Sequence, residues 1–98
     1  MISGQLGLVD GALVEGGVDA QVTRALANMA ALLEGQGASL SSVVKTTVYL
    51  VDIADYAAMN EAYVDGFGDH RPARAAVAVA GLPMGALVEI EAWAFSAQ

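Results

Sequence analysis

Residues 41–51 have the composition of a β-strand, yet neither side of that strand would be polar. Side chains alternate between the two faces of a strand, which divides these residues into two sets. One set is Val44, Thr46, Val48 and Leu50; the other is Val43, Lys45, Thr47, Tyr49 and Val51. Because both sets are mainly apolar or β-branched, the strand belongs in a sheet covered on both faces. Any fold for this chain has to supply both covers.

Two helices are predicted, one before and one after this strand. The first has Asp19 as its N-cap and ends near residue 34, where Gly35 follows. The second covers residues 55–67 and stops at Gly68. Each helix has one apolar stripe at helical spacing, so each can pack on one face of a sheet. The stripes are Val22, Leu26, Met29 and Leu33 in the first, and Tyr56, Met59, Tyr63 and Phe67 in the second.

The other regular segments are predicted strands, which gives one domain over residues 1–98. The strands are residues 2–9, 12–14, 41–51, 73–80 and 87–95, with a tight turn at Asp10-Gly11. The order is ββαβαββ, an α+β fold with two helices on one face of a mixed sheet. No third helix is predicted for the other face. Since the mean hydropathy is +0.54, high for so small a domain, the chain is expected to self-associate.

Composition excludes several functional classes. The chain has no cysteine, which removes disulfides, zinc knuckles and thiol nucleophiles, and one histidine cannot build a His-rich metal site. Eleven acidic side chains face four basic ones, a net charge of −7, which disfavours nucleic-acid binding. Neither a membrane-spanning apolar run nor a signal peptide is visible, so a cytoplasmic protein without membrane contact is expected.

Arg74 is the first candidate for ligand binding, because the segment 73–80 is otherwise apolar. By alternation it shares a face with Ala76, Ala78 and Ala80. A guanidinium in such surroundings needs an anion, and a planar carboxylate matches its paired donors best. Two alternatives stay open on the residues alone. Arg74 could form an ion pair with Glu89 or Glu91, or it could reach solvent at the end of its strand.

Glu89 and Glu91 form the second candidate, since both point to the face opposite the residues expected to pack on the helices. A partly buried carboxylate near a cation can orient a water molecule and move its proton. An equally open alternative is a salt-bridge role in an interface between subunits.

Weaker candidates have more ordinary explanations. Asn60 is expected in a hydrogen bond between helix and loop, His70 in an exposed polar loop, and Lys45 in a pairing role on the outer face. Gly4 inside a strand marks a bulge or a close backbone approach. Ser3 beside it has no histidine base in sequence context, so a serine hydrolase has little support.

Six stretches of the sequence resemble the RidA family, also called YjgF or L-PSP endoribonuclease-like. They are Ser3-Gly4-Gln5, Ser42-Val43-Val44-Lys45-Thr46-Thr47-Val48-Tyr49-Leu50, Met59-Asn60-Glu61-Ala62-Tyr63, Arg71-Pro72-Ala73-Arg74, Leu82-Pro83 and Val88-Glu89-Ile90-Glu91-Ala92. They occur in the family's order and spacing, and the resemblance extends from Ile2 to about Phe95.

The resemblance implies a chorismate-mutase-like α+β fold, assembled as a homotrimer with clefts between subunits. It implies a cofactor-independent deaminase that hydrolyses 2-imino acids and their enamine tautomers, of the 2-iminobutanoate and 2-iminopropanoate type, to 2-oxo acids and ammonia. By position, Arg74 would bind the substrate carboxylate and Glu89 would place the attacking water. The substrate-binding positions would be Ser3, Gly4, Asn60 and Ala76, with backbone groups acting at Gly4 and Ala76.

The sequence also departs from the family pattern. Members usually carry a further N-terminal segment, with a first strand and a tyrosine that covers the cleft, and nothing here corresponds to either. An unpaired sheet edge and an open site are therefore expected. Arg71 stands before Pro72, where an apolar residue is commoner, so a second cation is expected to alter ligand preference. The alternative function is a non-catalytic trimeric protein that binds small carboxylates such as 2-oxo acids.

Overall fold

A four-stranded mixed sheet organises residues 2–95, which this computed structural model describes apart from the Ser3 side chain. The six strands of the chain are β1 Ile2–Gln5, β2 Leu8–Val9, β3 Ala12–Leu13, β4 Val43–Leu50, β5 Ala73–Ala78 and β6 Val88–Ala94. In the main sheet the order is β1-β6-β4-β5. The β4–β5 pair is parallel and the other two pairs are antiparallel. The sheet therefore ends at β5 on one side and at β1 on the other.

The predicted strand 2–9 is two strands, because the chain bends in its middle. At Gly7 an added Cβ would lie 2.7 Å from the Cα of Gln21, and the Leu8 amide donates to the Leu6 carbonyl at 2.9 Å. After this bend β2 pairs only with β3, as a small hairpin outside the main sheet. The Asp10-Gly11 turn forms as predicted, with φ of 52° and 82° at its two residues, values typical of a tight hairpin turn.

Two helices, α1 Gly17–Glu34 and α2 Tyr56–Phe67, cover one face of the sheet. The predicted N-cap is wrong: Gly16 holds that position with φ 115°, and Asp19 lies in the first turn, where its charge favours the helix dipole. The buried core contains the predicted stripes, with Met29 and Met59 fully buried. The exception in the stripe of α2 is Tyr56, which is 39% exposed.

A β-bulge at the start of β4 reverses the predicted orientation of two valines. Val43 is fully buried and Val44 is 48% exposed, the opposite of simple alternation. The pairing with β6 shifts between Val43 and Lys45, so one extra residue is accommodated there. From Thr46 onward the alternation is as predicted, with Val48 also buried.

The second face of the sheet has no cover among residues 2–95. Large apolar side chains lie exposed on or beside this uncovered face: Val44, Val77, Trp93 and Phe95. Trp93 is 52% exposed and Phe95 is 79% exposed, which is unusual for aromatic residues of a small domain. Within the same part of the chain, neither helix is long and apolar enough to cross a bilayer.

Candidate active site

Arg74 lies on the edge strand β5, and its side chain is on the face that the helices cover. Its pairing partner on β4 is Thr46, which is fully buried. The guanidinium donates to Asn60 Oδ1 at 2.6 Å and to the Tyr56 hydroxyl at 2.7 Å. Both acceptors belong to α2, so this helix fixes the position of the positive charge.

Two tyrosine rings flank the guanidinium of Arg74. Its Cζ lies 4.8 Å from the ring centroid of Tyr63 and 5.5 Å from that of Tyr56, within the range of a cation–π interaction. The Tyr63 hydroxyl is 2.6 Å from Thr46 Oγ1, so the ring is anchored by a buried hydrogen bond. Burial raises the pKa of Tyr63, while this hydrogen bond and the charges of Arg74 and Arg71 act to lower it.

The guanidinium still has donors available for a ligand. Of its five N–H groups, two are used by Asn60 and Tyr56, and the other three have no hydrogen-bond partner among the side chains and backbone described. A carboxylate needs two parallel N–H donors for a bidentate contact. The arrangement can therefore hold a carboxylate without losing the contacts that position Arg74.

The open edge of β5 adds backbone groups beside Arg74. The Val79 amide donates to the Leu50 carbonyl at 2.8 Å, so by alternation the odd-numbered residues of β5 turn their backbone groups toward β4. The backbone groups of Arg74 and Ala76 then point to the edge, where the sheet ends. Ala76 is half-buried on the same face as Arg74, as alternation predicted.

Glu89 and Glu91 point away from the helices. They alternate along β6 with residues that are fully buried on the covered face: Val88, Ile90 and Ala92. The Tyr49 hydroxyl donates to Glu91 Oε1 at 2.8 Å. That hydrogen bond raises the pKa of Tyr49, and burial and the charges of both glutamates raise it further. Tyr49 thus stays protonated and remains a hydrogen-bond donor to the Glu91 carboxylate.

The Glu89 carboxylate is half-buried and has no hydrogen-bond partner among the described side chains. It lies directly over Gly4, where an added Cβ would be 2.6 Å from the Glu89 Cδ. Gly4 is therefore a close-approach glycine, and the pairing of β1 with β6 also shifts register between Ile2 and Gln5, so both features that the sequence allowed are present. A carboxylate in this setting can accept hydrogen bonds from a water molecule.

Arg74 and Glu89 lie on opposite faces of the sheet in one chain. Arg74 pairs with Thr46, which faces the helices, whereas Glu89 pairs with Tyr49 on the uncovered face. An ion pair of Arg74 with Glu89 or Glu91 within the chain is excluded by this placement. Arg74 and Glu89 can therefore line one pocket only between two copies of the chain.

The remaining sequence candidates have simpler surroundings. Asn60 bonds to Arg74 rather than to a loop. His70 is half-buried, not exposed, because its Nε2 lies 2.6 Å from the Val43 carbonyl oxygen. Lys45 is exposed on the uncovered face, and Arg71 donates to the carbonyl oxygens of Gly68 and His70. Ser3 belongs to β1, but its side chain lies outside the described part.

Sequence reasoning missed the tyrosines that hold Arg74, although a signal was present. Tyr56, Asn60 and Tyr63 follow at spacings of four and three residues, which places them on one side of a helix. Their stripe was interpreted only as core. A polar residue between two tyrosines on that stripe indicates a contact with a charged group instead.

A separate cleft lies away from these residues. It lies between α1 and α2, has a volume of about 530 Å³ and is lined by Asp19, Arg24, Glu61, Asp65 and several alanines. Neither Arg74 nor Glu89 contacts it. Among residues 2–95 no group of three or more His, Cys, Asp or Glu side chains converges in the way a metal ion needs.

Comparison with known proteins gives consistent matches. The family model described as Endoribonuclease L-PSP matches residues 1–96. A RutC family protein of Pyrococcus abyssi is 49% identical over 85 residues, which are 87% of this chain and 67% of that protein. Human 2-iminobutanoate/2-iminopropanoate deaminase is 48% identical over 93 residues, covering 93% of this chain and 68% of the human protein.

Two solved structures show the same fold at substantial identity. RidA from an Antarctic Psychrobacter superposes with a TM-score of 0.87 at 46% identity, over 92% of this chain and 74% of its own. E. coli TdcF, solved with bound serine, superposes with a TM-score of 0.90 at 34% identity, over 97% of this chain and 78% of its own. The order of strands and helices predicted from the sequence is thus that of an established fold.

Proposed function

The chain belongs to the RidA family, and from this premise we propose that it hydrolyses reactive 2-imino acids and their enamine tautomers to 2-oxo acids and ammonia. Relatives named as 2-iminobutanoate/2-iminopropanoate deaminases, at 48% identity in the human and goat proteins, support this activity. A cytoplasmic location remains a prediction from the sequence.

The observation that carries the proposal is the held guanidinium of Arg74. Asn60 and Tyr56 fix its two terminal nitrogens, and three N–H donors remain free among residues 2–95. A 2-imino acid has one planar carboxylate, the best partner for such a fork. The serine bound to E. coli TdcF is likewise a small carboxylate. We infer that Arg74 binds the substrate carboxylate and thereby orients the imine carbon.

Glu89 is the proposed residue for the water. Its half-buried carboxylate is unpaired among the described side chains, so it can accept a proton from water. Because Arg74 and Glu89 are on opposite faces of one chain, the complete site would combine Arg74 of one copy with Glu89 of a neighbour. The exposed apolar residues of the uncovered face support such an assembly. A homotrimer with clefts between subunits is the proposed form.

Hydrolysis of an imine requires that the substrate is positioned and that protons are transferred. An imine carbon is already electrophilic, and water attacks it once the carboxylate is held. Glu89 takes a proton from water as the C–O bond forms, and returns it to the nitrogen. It then takes the hydroxyl proton of the carbinolamine and returns it to nitrogen as the C–N bond breaks, which releases ammonia. This hydrolysis consumes only water, so the proposal includes neither a metal nor an organic cofactor.

The test generates 2-iminobutanoate in situ with a threonine dehydratase and follows ammonia release. We expect the protein to accelerate release, and Arg74→Ala to lower kcat/KM roughly 10- to 100-fold, because a charge-assisted fork is lost. Arg24→Ala is the matched control, since Arg24 lies in the cleft between the helices and bonds to Asn28. Size-exclusion chromatography checks that assembly is unchanged.

If the protein binds 2-oxobutanoate but does not accelerate ammonia release, it is a carboxylate-binding protein and not a deaminase. Unchanged kinetics in Arg74→Ala, with the assembly intact, would remove Arg74 from the site.

A further inference from the structure

We propose that Tyr56 is a second anchor for the substrate carboxylate, donating its phenol O–H to the oxygen that Arg74 also holds. The inference rests on the proposed function and concerns the same site. It assigns a substrate-positioning role to a residue on α2 that the family resemblance does not name.

Tyr56 is placed to reach a ligand at Arg74. It is the first residue of α2 and is 39% exposed. Its hydroxyl oxygen accepts from Arg74 at 2.7 Å, which directs its own proton away from the guanidinium. That proton has no acceptor among residues 2–95. A free phenol O–H therefore lies beside the free N–H donors of Arg74.

Tyr63 shows why only one of the two tyrosines has this capacity. Both rings contact the guanidinium. The Tyr63 hydroxyl is 2.6 Å from Thr46 Oγ1, and the residue is only 3% exposed. Its hydrogen-bonding capacity is therefore used inside the core, and its role at the site is limited to the ring. Tyr56 combines the same ring contact with a hydroxyl that solvent and ligand can reach.

The contact with Arg74 also makes the Tyr56 hydroxyl a better donor. A hydroxyl oxygen that accepts a hydrogen bond from a cation is polarised, and its O–H then donates more strongly. Phenol-to-carboxylate hydrogen bonds are charge-assisted and short. A carboxylate can use one oxygen for Arg74 and the other for Arg74 and Tyr56 together. A ligand with a neutral amide instead of the carboxylate would form a weaker hydrogen bond with Tyr56, because the charge assistance is lost.

Tyr56→Phe removes the O–H donor together with the oxygen that accepts from Arg74, and it keeps the ring against Arg74. We expect the Kd of 2-oxobutanoate, measured by calorimetry, and the KM for in situ 2-iminobutanoate both to rise about 5- to 10-fold, as for one partly exposed hydrogen bond to a charge. The kcat should stay within about twofold, since the bond also exists in the ground state. Thr23→Val, which removes an exposed hydroxyl from α1, is the matched control.

A double-mutant cycle separates this inference from the proposed function. In an Arg74→Ala background, Tyr56→Phe should have little further effect, because the two groups hold one carboxylate. The same variant should change binding of 2-oxobutanamide far less than binding of 2-oxobutanoate. If Arg74→Ala weakens binding but Tyr56→Phe does not, Tyr56 is not an anchor for the carboxylate, and the proposed role of Arg74 is retained. If neither does, the proposed function of the site has failed.

Discussion

At Gly4 the backbone of β1 passes under Glu89 so closely that a methyl group would lie 2.6 Å from its Cδ. Contacts this short do not occur, so in a Gly4→Ala variant the carboxylate has to move. The obstacle is a flexible side-chain end, which means that the fold can absorb the change. We expect kcat to fall about tenfold, as for a displaced proton-transfer group, with the thermal midpoint nearly unchanged.

Two further glycines make this prediction specific. Gly81→Ala should be neutral, because an added Cβ there meets nothing within 4 Å. Gly7→Ala should lower stability instead, since its Cβ would lie 2.7 Å from a backbone atom of Gln21. Steady-state kinetics and thermal unfolding of the three variants distinguish the cases. Full activity in Gly4→Ala would show that the reaction does not depend on the position of the Glu89 carboxylate.

At the scale of the element, the bulge at the start of β4 decides which valine supports the core. Val43→Ala should lower the free energy of unfolding by about 2 kcal/mol, because a fully buried methyl pair is lost. Val44→Ala should cost less than half as much, since that side chain is 48% exposed. Urea unfolding of both variants measures the difference. A larger loss for Val44→Ala than for Val43→Ala would mean that the strand alternates without a bulge.

The elements themselves were largely predictable from the sequence. The apolar stripes of both helices and the alternation of β6 gave the fold and the orientation of Glu89 and Glu91. The bulge was not predictable, because an extra residue in one strand has no signature in a run of β-branched side chains. The bend at Gly7 depends on α1 lying against it, a contact between distant parts of the chain.

The site was predictable only in part for a related reason. Alternation correctly placed Arg74 with Ala76, but the relation of β5 to β6 depends on the strand order, since β4 lies between them. Periodicity shows which residues of β5 share a face, but because that strand is apolar on both faces apart from Arg74 it does not show which face the helices cover. The tyrosines around Arg74 belong to α2, and their contact with β5 is a tertiary one.

At the scale of the whole molecule, the separation of Arg74 and Glu89 predicts complementation between variants of low activity. Arg74→Ala retains Glu89, and Glu89→Gln retains Arg74. If each site uses one residue from each of two neighbours, an equal mixture that exchanges subunits should regain about a quarter of the wild-type activity by random assembly. The mixture is unfolded in urea and refolded, then assayed for ammonia release.

Each variant refolded alone is the control and should keep no more than about a tenth of the wild-type activity. No recovery in the mixture, with mixed assemblies demonstrated by mass spectrometry of isotopically labelled chains, would mean that both residues act from the same copy.

The open edge of β5 has a consequence during biosynthesis. Its sequence Ala73–Ala78 has one charged residue, Arg74, whose guanidinium bonds to Asn60 and Tyr56 of α2 and so points away from the strand edge. Natural sheets often protect such edges with outward charges or prolines, and inside this strand there are none. A newly made copy therefore exposes an unpaired edge strand next to an apolar surface. If the proposed assembly covers these surfaces, it has to form faster than the chains aggregate. Slowing the encounter between newly made chains should then reduce the yield of native protein before it changes the activity of the molecules that fold.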